Sequence, residues 1–489
     1  MTELNELLRR DAKAFAPTLA KLAVERGLAV TGKQGEIKPI PITATPIVLS
    51  QREMAHRVKL AAQMSSATFK MARAVLAGTA RDLIHGALSP LERTLADKTF
   101  AKIQRLATVR VDFFVADGEA KALEVNATIP AMQGYSDIAA RSFIEVVGRH
   151  AGLPDRRIAE LWAKNGSNAL ALYRALMDGY AAERPGKQPN RVAILCRRHD
   201  AQITELRYLA ERFSELGTEA EIVHPDELSG DDEVRAHGKQ FDMVYRHLFI
   251  RRLEENPSPY VVELLGEVPN RRAVLLNPPA SQVEVKAAFA LLSQAQAEPD
   301  LARAAGLTDD ELEGIAQGVH WTRPFRHIAT TDPDGRQVAD LVARVAEEPK
   351  RFVIKRSWDY GGRAVFLGSA LDEPGFDERV RAAYGRSMGW AELCQRAAED
   401  RVGGGFVVQE LVRAQAEEHL LCGASGVDPV DVYVDFSAYA SVGLERQPAW
   451  GGVCRGSISR IVNILGGGGV LPLITEEVAS ALETALKAR

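Results

Sequence analysis

The chain has 489 residues, of which 46% are apolar and 26% are charged. This composition is typical of a soluble globular protein, and the length predicts about two to four domains. A formal net charge of −4 argues against a nucleic-acid-binding protein and against a polybasic membrane surface.

The sequence shows no signal for export or membrane insertion. The N-terminus lacks a basic segment followed by an apolar run, and no stretch of about 18 uninterrupted apolar residues is present. Four cysteines are scattered without the spacing of a metal site or a disulfide framework: Cys196, Cys394, Cys422 and Cys454. We therefore expect a cytoplasmic protein with reduced, buried thiols, and the sequence leaves a homo-oligomer open.

The N-terminal hundred residues are predicted to be mostly helical, with alanine-rich amphipathic stretches near 53–85. Residues 108–115 then alternate with a period of two, which indicates a strand. A turn signal at 116–119 leads into a returning strand over 121–126. Helical patterning resumes over 137–183, so this part of the chain predicts one hairpin between helical segments.

A segment rich in turn residues, 183–190, indicates a linker. After it, a strand over 191–195, a helix over 202–216 and a strand over 219–223 follow in the order that builds a small parallel sheet. Further strands are predicted beyond this unit, and from residue 280 onward helices alternate with short strands. We predict a multidomain protein of the α/β class with α+β elements.

The most informative cluster of polar residues lies on the early hairpin. Residues two apart on a strand share a face, so Arg110 lies with Asp112, and Glu124 lies with Asn126. Carboxylate and amide oxygens suit magnesium that is bound together with substrate phosphates. The alternative is a solvated hairpin face with one cross-strand ion pair. We expect the neighbouring apolar residues to point into the core: Val109, Val111, Phe113, Leu123 and Val125.

The magnesium site requires a particular strand register. A two-residue turn at Asp117 and Gly118 would set Asp112 opposite Leu123 and send Glu124 to the other face. A three-residue loop or a β-bulge would instead set Asp112 opposite Glu124, and likewise pair the arginine with the asparagine. We predict this second register.

A lysine on a later strand is the first candidate for binding phosphate. Lys355 ends a strand and leads into a loop that contains Gly361 and Gly362, which a second strand follows. Backbone N–H groups of such a loop can approach phosphate oxygens, and the lysine ammonium is suited to phosphate charge. The alternative is an ordinary hairpin with a glycine turn.

Lys286 is the second candidate, because it follows a helix-start signal at 277–279 and lies on an apolar helical stripe. Burying an unpaired charge is costly, so we expect an anionic partner; the alternative is a lysine that reaches water at the edge of the stripe. Gln409 and Glu410 interrupt an apolar strand over 406–412, where they either position a nucleotide or lie at a strand edge.

Together these features resemble the permuted ATP-grasp ligases, in particular the synthetase domain of glutathionylspermidine synthase. The resemblance runs in chain order over about residues 100–470 and leaves the N-terminal hundred residues unmatched. The motifs that carry it are Arg110-x-Asp112, Glu124-x-Asn126, Asn277-Pro278-Pro279 with Lys286, residues 352–355 with Gly361-Gly362, and Gln409-Glu410. Weaker resemblance continues through Asp435 and Arg455 to Asn463.

The resemblance implies an ATP-grasp fold in permuted order with a small Rossmann-like pre-ATP-grasp domain. It implies three domains, which are a helical N-terminal region plus the metal-binding hairpin over 1–185, the pre-ATP-grasp domain over 186–280, and nucleotide-binding subdomains over 281–489. It also implies an ADP-forming ligase that joins a small-molecule or peptide carboxylate to an amine, with ATP and Mg²⁺ bound.

The resemblance also assigns expected roles to individual residues. The implied magnesium ligands are Asp112, Glu124 and Asn126, and Arg110 is implied to stabilise transferring phosphate charge. The implied ATP contacts are Lys286, Lys355, Gly361, Gly362, Gln409 and Glu410. Ala127 and Thr128 stand where the family has an acidic residue, and no glutathione or polyamine pocket is recognised over 130–180. The sequence therefore names neither co-substrate.

Two other functions fit the same scaffold, namely another ATP-dependent phosphotransferase and a non-catalytic ATP-binding regulatory protein. The presence of both carboxylates, the asparagine and both lysines favours an enzyme, because a regulatory protein could dispense with some of them.

Overall fold

The computed structural model describes residues 3–32, 34–116, 118–359, 362, 364–423, 426–448, 451–462 and 467–489. Gly361 and Asn463, which carried part of the sequence prediction, lie outside these ranges, as does Asp117 in the predicted turn. None of the described helices is both long enough and apolar enough to cross a membrane. The four cysteines are buried and unpaired, as the sequence predicted.

The helices and strands follow one another in five segments. The N-terminal segment contains α1 (Glu3–Glu25), β1 (Ala29–Thr31), β2 (Ile37–Pro39), β3 (Ile42–Thr43), β4 (Ile47–Leu49), α2 (Gln51–Ala77), α3 (Asp82–His85) and α4 (Pro90–Thr99). The hairpin segment contains β5 (Leu106–Ala116), β6 (Glu119–Asn126), α5 (Gln133–His150), α6 (Asp155–Asn165) and α7 (Asn168–Glu183). The third segment contains β7 (Arg191–Cys196), α8 (Ile203–Glu215), β8 (Glu219–Val223), β9 (Val234–Ala236), β10 (Lys239–Phe241), β11 (Met243–His247), α9 (Arg252–Glu255), α10 (Pro259–Leu265) and β12 (Val274–Leu276).

The fourth segment contains α11 (Lys286–Ala295), α12 (Pro299–Ala304), α13 (Asp309–Gly318), β13 (Thr322–Pro324), β14 (Thr330–Thr331), β15 (Gln337–Val338), α14 (Leu341–Glu347), β16 (Phe352–Arg356), β17 (Val365–Leu367), α15 (Pro374–Tyr384), α16 (Trp390–Glu399) and β18 (Phe406–Glu410). The last contains β19 (Glu417–Gly423), β20 (Gly426–Val442), β21 (Gly452–Ser457), β22 (Gly467–Leu471), β23 (Leu473–Thr475) and α17 (Glu476–Lys487).

The largest sheet has seven strands in the order β19-β3-β22-β21-β20-β5-β6. Alternate residues of its strands enter different hydrophobic clusters, because neighbouring strand residues point to opposite faces. Val111 on β5 belongs to the cluster that packs under α2, whereas Tyr439 on β20 belongs to the cluster formed with α1 and α5. Arg110 and Asp112 therefore lie on the face opposite α2.

Two smaller sheets flank the remaining part of the site. A parallel sheet has the strand order β12-β11-β7-β8, which confirms the predicted strand–helix–strand unit. An antiparallel sheet has the order β13-β18-β16-β17 and carries Lys355 on β16. The structure therefore has the mixed α/β architecture that the sequence predicted, while the three domain boundaries stay a prediction.

The N-terminal region is less purely helical than the sequence indicated. Four short strands, β1 to β4, follow α1, and β3 joins the seven-stranded sheet between β19 and β22. Two- and three-residue strands are too short to produce a hydrophobic period, so the pattern did not reveal them. The helix α2 begins with a capping box, in which Ser50 and Glu53 bond to each other's backbone N–H groups.

Candidate active site

The hairpin formed by β5 and β6 has the register that the sequence predicted. Asp112 pairs with Glu124, and Arg110 pairs with Asn126, so all four side chains start from one face of the hairpin. A register shift between Asp112 and its neighbour Phe113 produces this pairing. The bulge, rather than a longer loop, therefore brings the two carboxylates together.

The bulge also changes which residues reach the core. Ala116 pairs with Glu119 and Phe113 pairs with Ala122, so the strands next to the turn follow the ordinary two-residue register. Ala122 is fully buried in the cluster under α2, as is Phe113. Leu123 was expected in that core, but it is the extra residue of the bulge and lines a cavity instead. That expectation was wrong because it assumed unbroken alternation.

Asp112 lies at the centre of a buried ionic network. Arg110 donates through Nε to one of its carboxylate oxygens at 2.7 Å, and Arg455 donates to the other at 2.8 Å. Arg455 also pairs with Asp435. Although burial alone would raise the pKa of Asp112, the charges of Arg110 and Arg455 hold it well below its usual range. Burial raises the pKa of Asp435 against the opposing charge of Arg455.

Arg455 and Asp435 were not among the predicted site residues. They come from β21 and β20, where they pair directly, and Ser437 of β20 pairs with Asp112. The contact between Arg455 and Asp112 joins residues 343 positions apart, which no local pattern can reveal. The available sequence signal was the weaker resemblance that runs through Asp435 and Arg455, and it did not assign them a role.

Lys286 is at the first position of α11 and is 9% exposed. Its ammonium lies 3.1 Å from a carboxylate oxygen of Glu124 and donates to the backbone carbonyl of Asp359 at 3.3 Å. The expected anionic partner is thus present, and the alternative of a lysine reaching water does not hold. This contact links the hairpin to the segment that follows β16.

Lys355 is half-buried on β16, and its ammonium donates to the side-chain oxygen of Gln409 at 2.7 Å. Gln409 is neutral and is held in place by Thr322, to which it donates at 3.1 Å. Burial lowers the pKa of Lys355 to about 8; the carboxylate of Glu124 opposes this shift and the ammonium of Lys286 adds to it. The two lysines and Glu124 therefore act on one another electrostatically.

These groups line one cavity of about 580 Å³, here called cavity one. Cavity one brings together Asp112, Glu124, Lys286, Lys355 and Gln409, which come from the hairpin, α11, β16 and β18. Arg413, Tyr433, Asp435, Arg455 and Arg460 add to its described lining. A cleft of this size with several cations on its walls is suited to an anionic ligand.

Three of the predicted residues that the structure describes do not line cavity one: Arg110, Asn126 and Glu410. Arg110 lines a neighbouring cavity rather than cavity one, because Asp112 and the carbonyl of Ala131 hold its guanidinium. Glu410 pairs with Arg351, on the other face of β18 from Gln409. Because adjacent strand residues point to opposite faces, the Gln-Glu pair could not both enter cavity one.

The neighbouring cavity, here called cavity two, has a volume of about 470 Å³. Its described lining includes Arg110 and Asn126. The residues that line both cavities form their junction: Glu124, Lys286, Asp359, Gly362, Arg455 and Val462. Gly362 is thus the one described member of the predicted glycine pair, and it has a positive φ of 72°.

The hairpin groups fit a magnesium ion that is bound together with phosphates. Within the described ranges, no group of three or more His, Cys, Asp or Glu side chains could hold a metal ion by itself. Magnesium beside substrate phosphates needs only one or two carboxylates. Glu124 lies at the junction, and the amide nitrogen of Asn126 is buried without a hydrogen-bond partner. The oxygen and nitrogen of an amide side chain are told apart by their hydrogen-bond partners. Because this atom of Asn126 has none, the amide oxygen fits that position as a metal ligand.

No family model and no curated protein sequence matches this chain. Its structure is similar to that of a glutathione synthetase-like effector from Globodera pallida in its apo form, with a TM-score of 0.56 and 11% identity over 91% of this chain and 94% of the other. A candidate gamma-glutamylcysteine synthetase from Methylobacillus flagellatus aligns over 87% of this chain and 96% of its own with 10% identity. Its TM-score of 0.38 is too low to establish a shared fold. The first similarity shows a shared mixed α/β fold.

Proposed function

We propose that the protein is an ATP- and Mg²⁺-dependent carboxylate–amine ligase of the ATP-grasp type, with its segments in permuted order. The observation that carries this proposal is the convergence of Glu124 with Lys286 and Lys355 on cavity one. A triphosphate needs cations for its oxygens and a carboxylate for its metal, and these three groups supply both. The shared fold with a synthetase-like protein is consistent with this assignment.

The proposed reaction has two steps. A carboxylate oxygen of the acyl substrate attacks the γ-phosphorus of ATP, the bond to the β-phosphate oxygen breaks, and ADP leaves with an acyl phosphate as the second product. An amine then attacks the acyl carbon, phosphate leaves, and the nitrogen loses a proton to form the amide. Both steps develop charge on phosphate oxygens, so positioned cations rather than a nucleophilic side chain suffice.

The chain's own groups have separate tasks in this proposal. Lys286 and Lys355 bind the phosphates of ATP from α11 and β16. Glu124, with Asn126 and Asp112, would hold magnesium, which would supply positive charge to the phosphate oxygens when bound. Arg455 lies at the junction of the two cavities and is therefore better placed than Arg110 to neutralise the transferring phosphoryl group. Gly362 lies at the junction.

The reaction is tested by supplying ATP, magnesium, a carboxylate mixture and hydroxylamine, which converts an acyl phosphate into a stable hydroxamate. We expect ADP and hydroxamate to form in equal amounts, as measured by chromatography and mass spectrometry. The variant Glu124→Gln should lose both products, while Lys21→Ala on the exposed side of α1 should keep them. A phosphorylated product without hydroxamate would identify a phosphotransferase instead.

A non-catalytic ATP-binding protein is the second candidate function. The observation that favours it is the ionic network, in which both oxygens of Asp112 are already held by Arg110 and Arg455. A carboxylate held in this way is less available to a metal than Glu124 is. Tight binding of ATP with neither ADP nor hydroxamate formed would favour this candidate over the ligase.

A further inference from the structure

The motif Asn277-Pro278-Pro279, which the proposed function leaves without a task, lies where the parallel sheet meets the hairpin. Asn277 directly follows β12 and is 1% exposed. Its side-chain oxygen accepts from the backbone N–H groups of Ala107 and Thr108 on β5, at 2.7 and 3.3 Å. Its side-chain nitrogen donates to the carbonyls of Thr108 and Ala127. Two donors and two lone pairs are all that an amide side chain has, so Asn277 is fully used in joining these segments.

Glu284 holds the same point of the hairpin from the other side. The backbone N–H groups of Ala127 and Thr128 both donate to one carboxylate oxygen of Glu284. Ala127 is thus bound through its carbonyl by Asn277 and through its N–H by Glu284. Because Ala127 directly follows β6, and Glu284 lies two residues before Lys286, the end of the hairpin is fastened to the segment that carries this lysine.

Arg246 on β11 holds the backbone of the motif. It is 1% exposed, and its guanidinium donates to the carbonyls of Asn277 at 2.9 Å and Pro278 at 3.2 Å. A third bond, to the carbonyl of Leu248 at 2.6 Å, stays close to its own strand. A buried charge is costly unless it is hydrogen-bonded, and these carbonyls meet that requirement only in one arrangement of the segment.

The other end of the segment is fixed to the strand that carries Lys355. At the start of α11 the backbone N–H of Lys286 donates to the carbonyl of Ser357 at 2.8 Å, and that of Ala287 donates to its hydroxyl at 3.2 Å. Ser357 directly follows β16. Residues 277–287 therefore contact each of the elements that bring a charged group to the site, namely the hairpin, α11 and β16.

We propose that Asn277 and Glu284 are positioning residues of the ligase, which set the place of Glu124 relative to Lys286. The inference rests on the proposed function, in which these two charged groups bind magnesium and phosphate. They lie 3.1 Å apart, and each is within three residues of Ala127 or Glu284. Asn277 lines neither cavity, so it acts through the backbone that it holds. A displacement of about 1 Å in a catalytic site can lower the rate about 10²-fold.

The first test is Asn277→Asp, which has nearly the same size but replaces both N–H donors by an acceptor that faces two carbonyls. We expect kcat for ADP formation to fall at least about tenfold and KM for ATP to change less, since alignment rather than binding is lost. Asn270→Asp is the matched control. Asn270 is 3% exposed, and its side chain likewise bonds one carbonyl and two backbone N–H groups, all within the third segment. Its variant should keep the wild-type kcat.

The second test reads the contact between Glu124 and Lys286 without any ATP. Lysines are labelled sparingly with acetic anhydride and the sites are quantified by mass spectrometry, with the exposed Lys21 as the internal reference. An ammonium held by a carboxylate stays protonated and reacts more slowly than one without such a partner. We expect labelling of Lys286 to rise in Glu124→Gln and in Asn277→Asp, to rise no further when the two are combined, and to stay unchanged in Asn270→Asp.

Glu284→Ala and Glu284→Gln decide the matter if Asn277→Asp does not fold. The alanine variant should lower kcat and raise the labelling of Lys286, and the glutamine variant should reverse most of both changes, because an amide oxygen accepts the same two N–H bonds. Unchanged labelling of Lys286 in the folded variants overturns the inference, as does an equal rise in Asn270→Asp or a failure of glutamine to restore kcat. Absence of ADP formation by the wild type, with labelling that responds as expected, would instead overturn the proposed function and support the positioning.

Discussion

The acidic network around Asp112 and the lysine pair of cavity one lie side by side but have different charge balances. Asp112 has two arginines as partners, and Arg455 shares its charge with Asp435, so each carboxylate there has a cation. Among the described residues, Glu124 is the one carboxylate paired with Lys286, and Lys355 donates to a neutral amide. Within the described residues each charged side chain of the network has a partner of opposite charge, whereas the two lysines share one carboxylate.

This difference indicates that the network mainly stabilises the fold, whereas the lysine pair mainly binds ligand. A buried ionic network costs desolvation energy that its own pairs offset, and removing one partner leaves a buried charge. The lysine pair carries an uncompensated charge, which a bound phosphate would offset. Substitutions in the network should therefore affect stability first, and substitutions of the lysines and Glu124 should affect catalysis first.

The largest expected effect comes from Asp112→Asn. This change leaves Arg110 without its carboxylate and should lower the free energy of unfolding by about 3–5 kcal/mol, as when one partner of a buried pair is removed. Denaturant titration measures it. Glu124→Gln is the comparison, because Glu124 faces the cavity with 34% of its side chain exposed. It removes the carboxylate partner of Lys286, and we expect a smaller loss of stability than in Asp112→Asn. Equal destabilisation by both changes would break the distinction between the two regions.

Lys355→Ala should have the next largest effect, on catalysis rather than stability. Loss of one well-placed electrostatic contact lowers the rate by about 10²–10³-fold, and we expect that loss in ATP-dependent ADP formation. Removing the ammonium of the half-buried Lys355 should not lower the free energy of unfolding, because burial already disfavours its charge. Near-normal turnover would remove Lys355 from the site, and Lys21→Ala serves as the control for charge alone.

A smaller effect follows from the pKa of Lys355, which burial lowers to about 8. The ammonium form binds phosphate, and it is lost as pH rises through that value, so affinity for Mg-ATP should fall between pH 7 and 9. At about one unit above the pKa only about a tenth of the groups stay charged, so the loss approaches about tenfold. Titrations at several pH values measure it. In Lys355→Met the pH dependence over this range should disappear, and its persistence would assign the titration to another group.

The smallest effect is expected at Gly362. An alanine there would be strained by the positive φ, and its Cβ would lie 2.7 Å from Cγ2 of Ile461, another residue of cavity one. We expect a cost of about 1 kcal/mol, which raises KM for ATP about fivefold. Gly385→Ala is the control, because its φ is also positive while nothing lies within 4 Å of its added Cβ. An unchanged KM in Gly362→Ala would show that the junction does not depend on this loop position.

The sequence was most informative where a local pattern and a chemical requirement agreed. Period-two alternation placed Asp112 and Glu124 on a hairpin, and their joint face required an irregular register, which the bulge supplies. The helical stripe around Lys286 likewise predicted a buried ammonium with an anionic partner. The parallel sheet in the segment after residue 190 was predicted from the strand–helix–strand order of that segment.

The remaining features depend on contacts between distant segments, which local patterns do not encode. Arg455 reaches Asp112 only because β20 lies between β21 and β5 in the largest sheet. Arg110 turns toward Asp112 on its own strand and toward the carbonyl of Ala131, and these contacts hold its guanidinium away from cavity one. Strands as short as β3 carry too few residues to show a period, so the place of β3 in the largest sheet was also not predictable.

The central claim is that a carboxylate of the hairpin and two later lysines bind one magnesium-bound triphosphate. Calorimetric titration of the wild type and of the Lys286→Ala/Lys355→Ala variant with Mg-ATP at pH 7 tests it most directly. We expect the wild type to bind in a 1:1 complex, and the double variant to bind at least about 10²-fold more weakly, given two lost charge-assisted contacts. No binding by the wild type, or equal binding by the two proteins, would contradict the account.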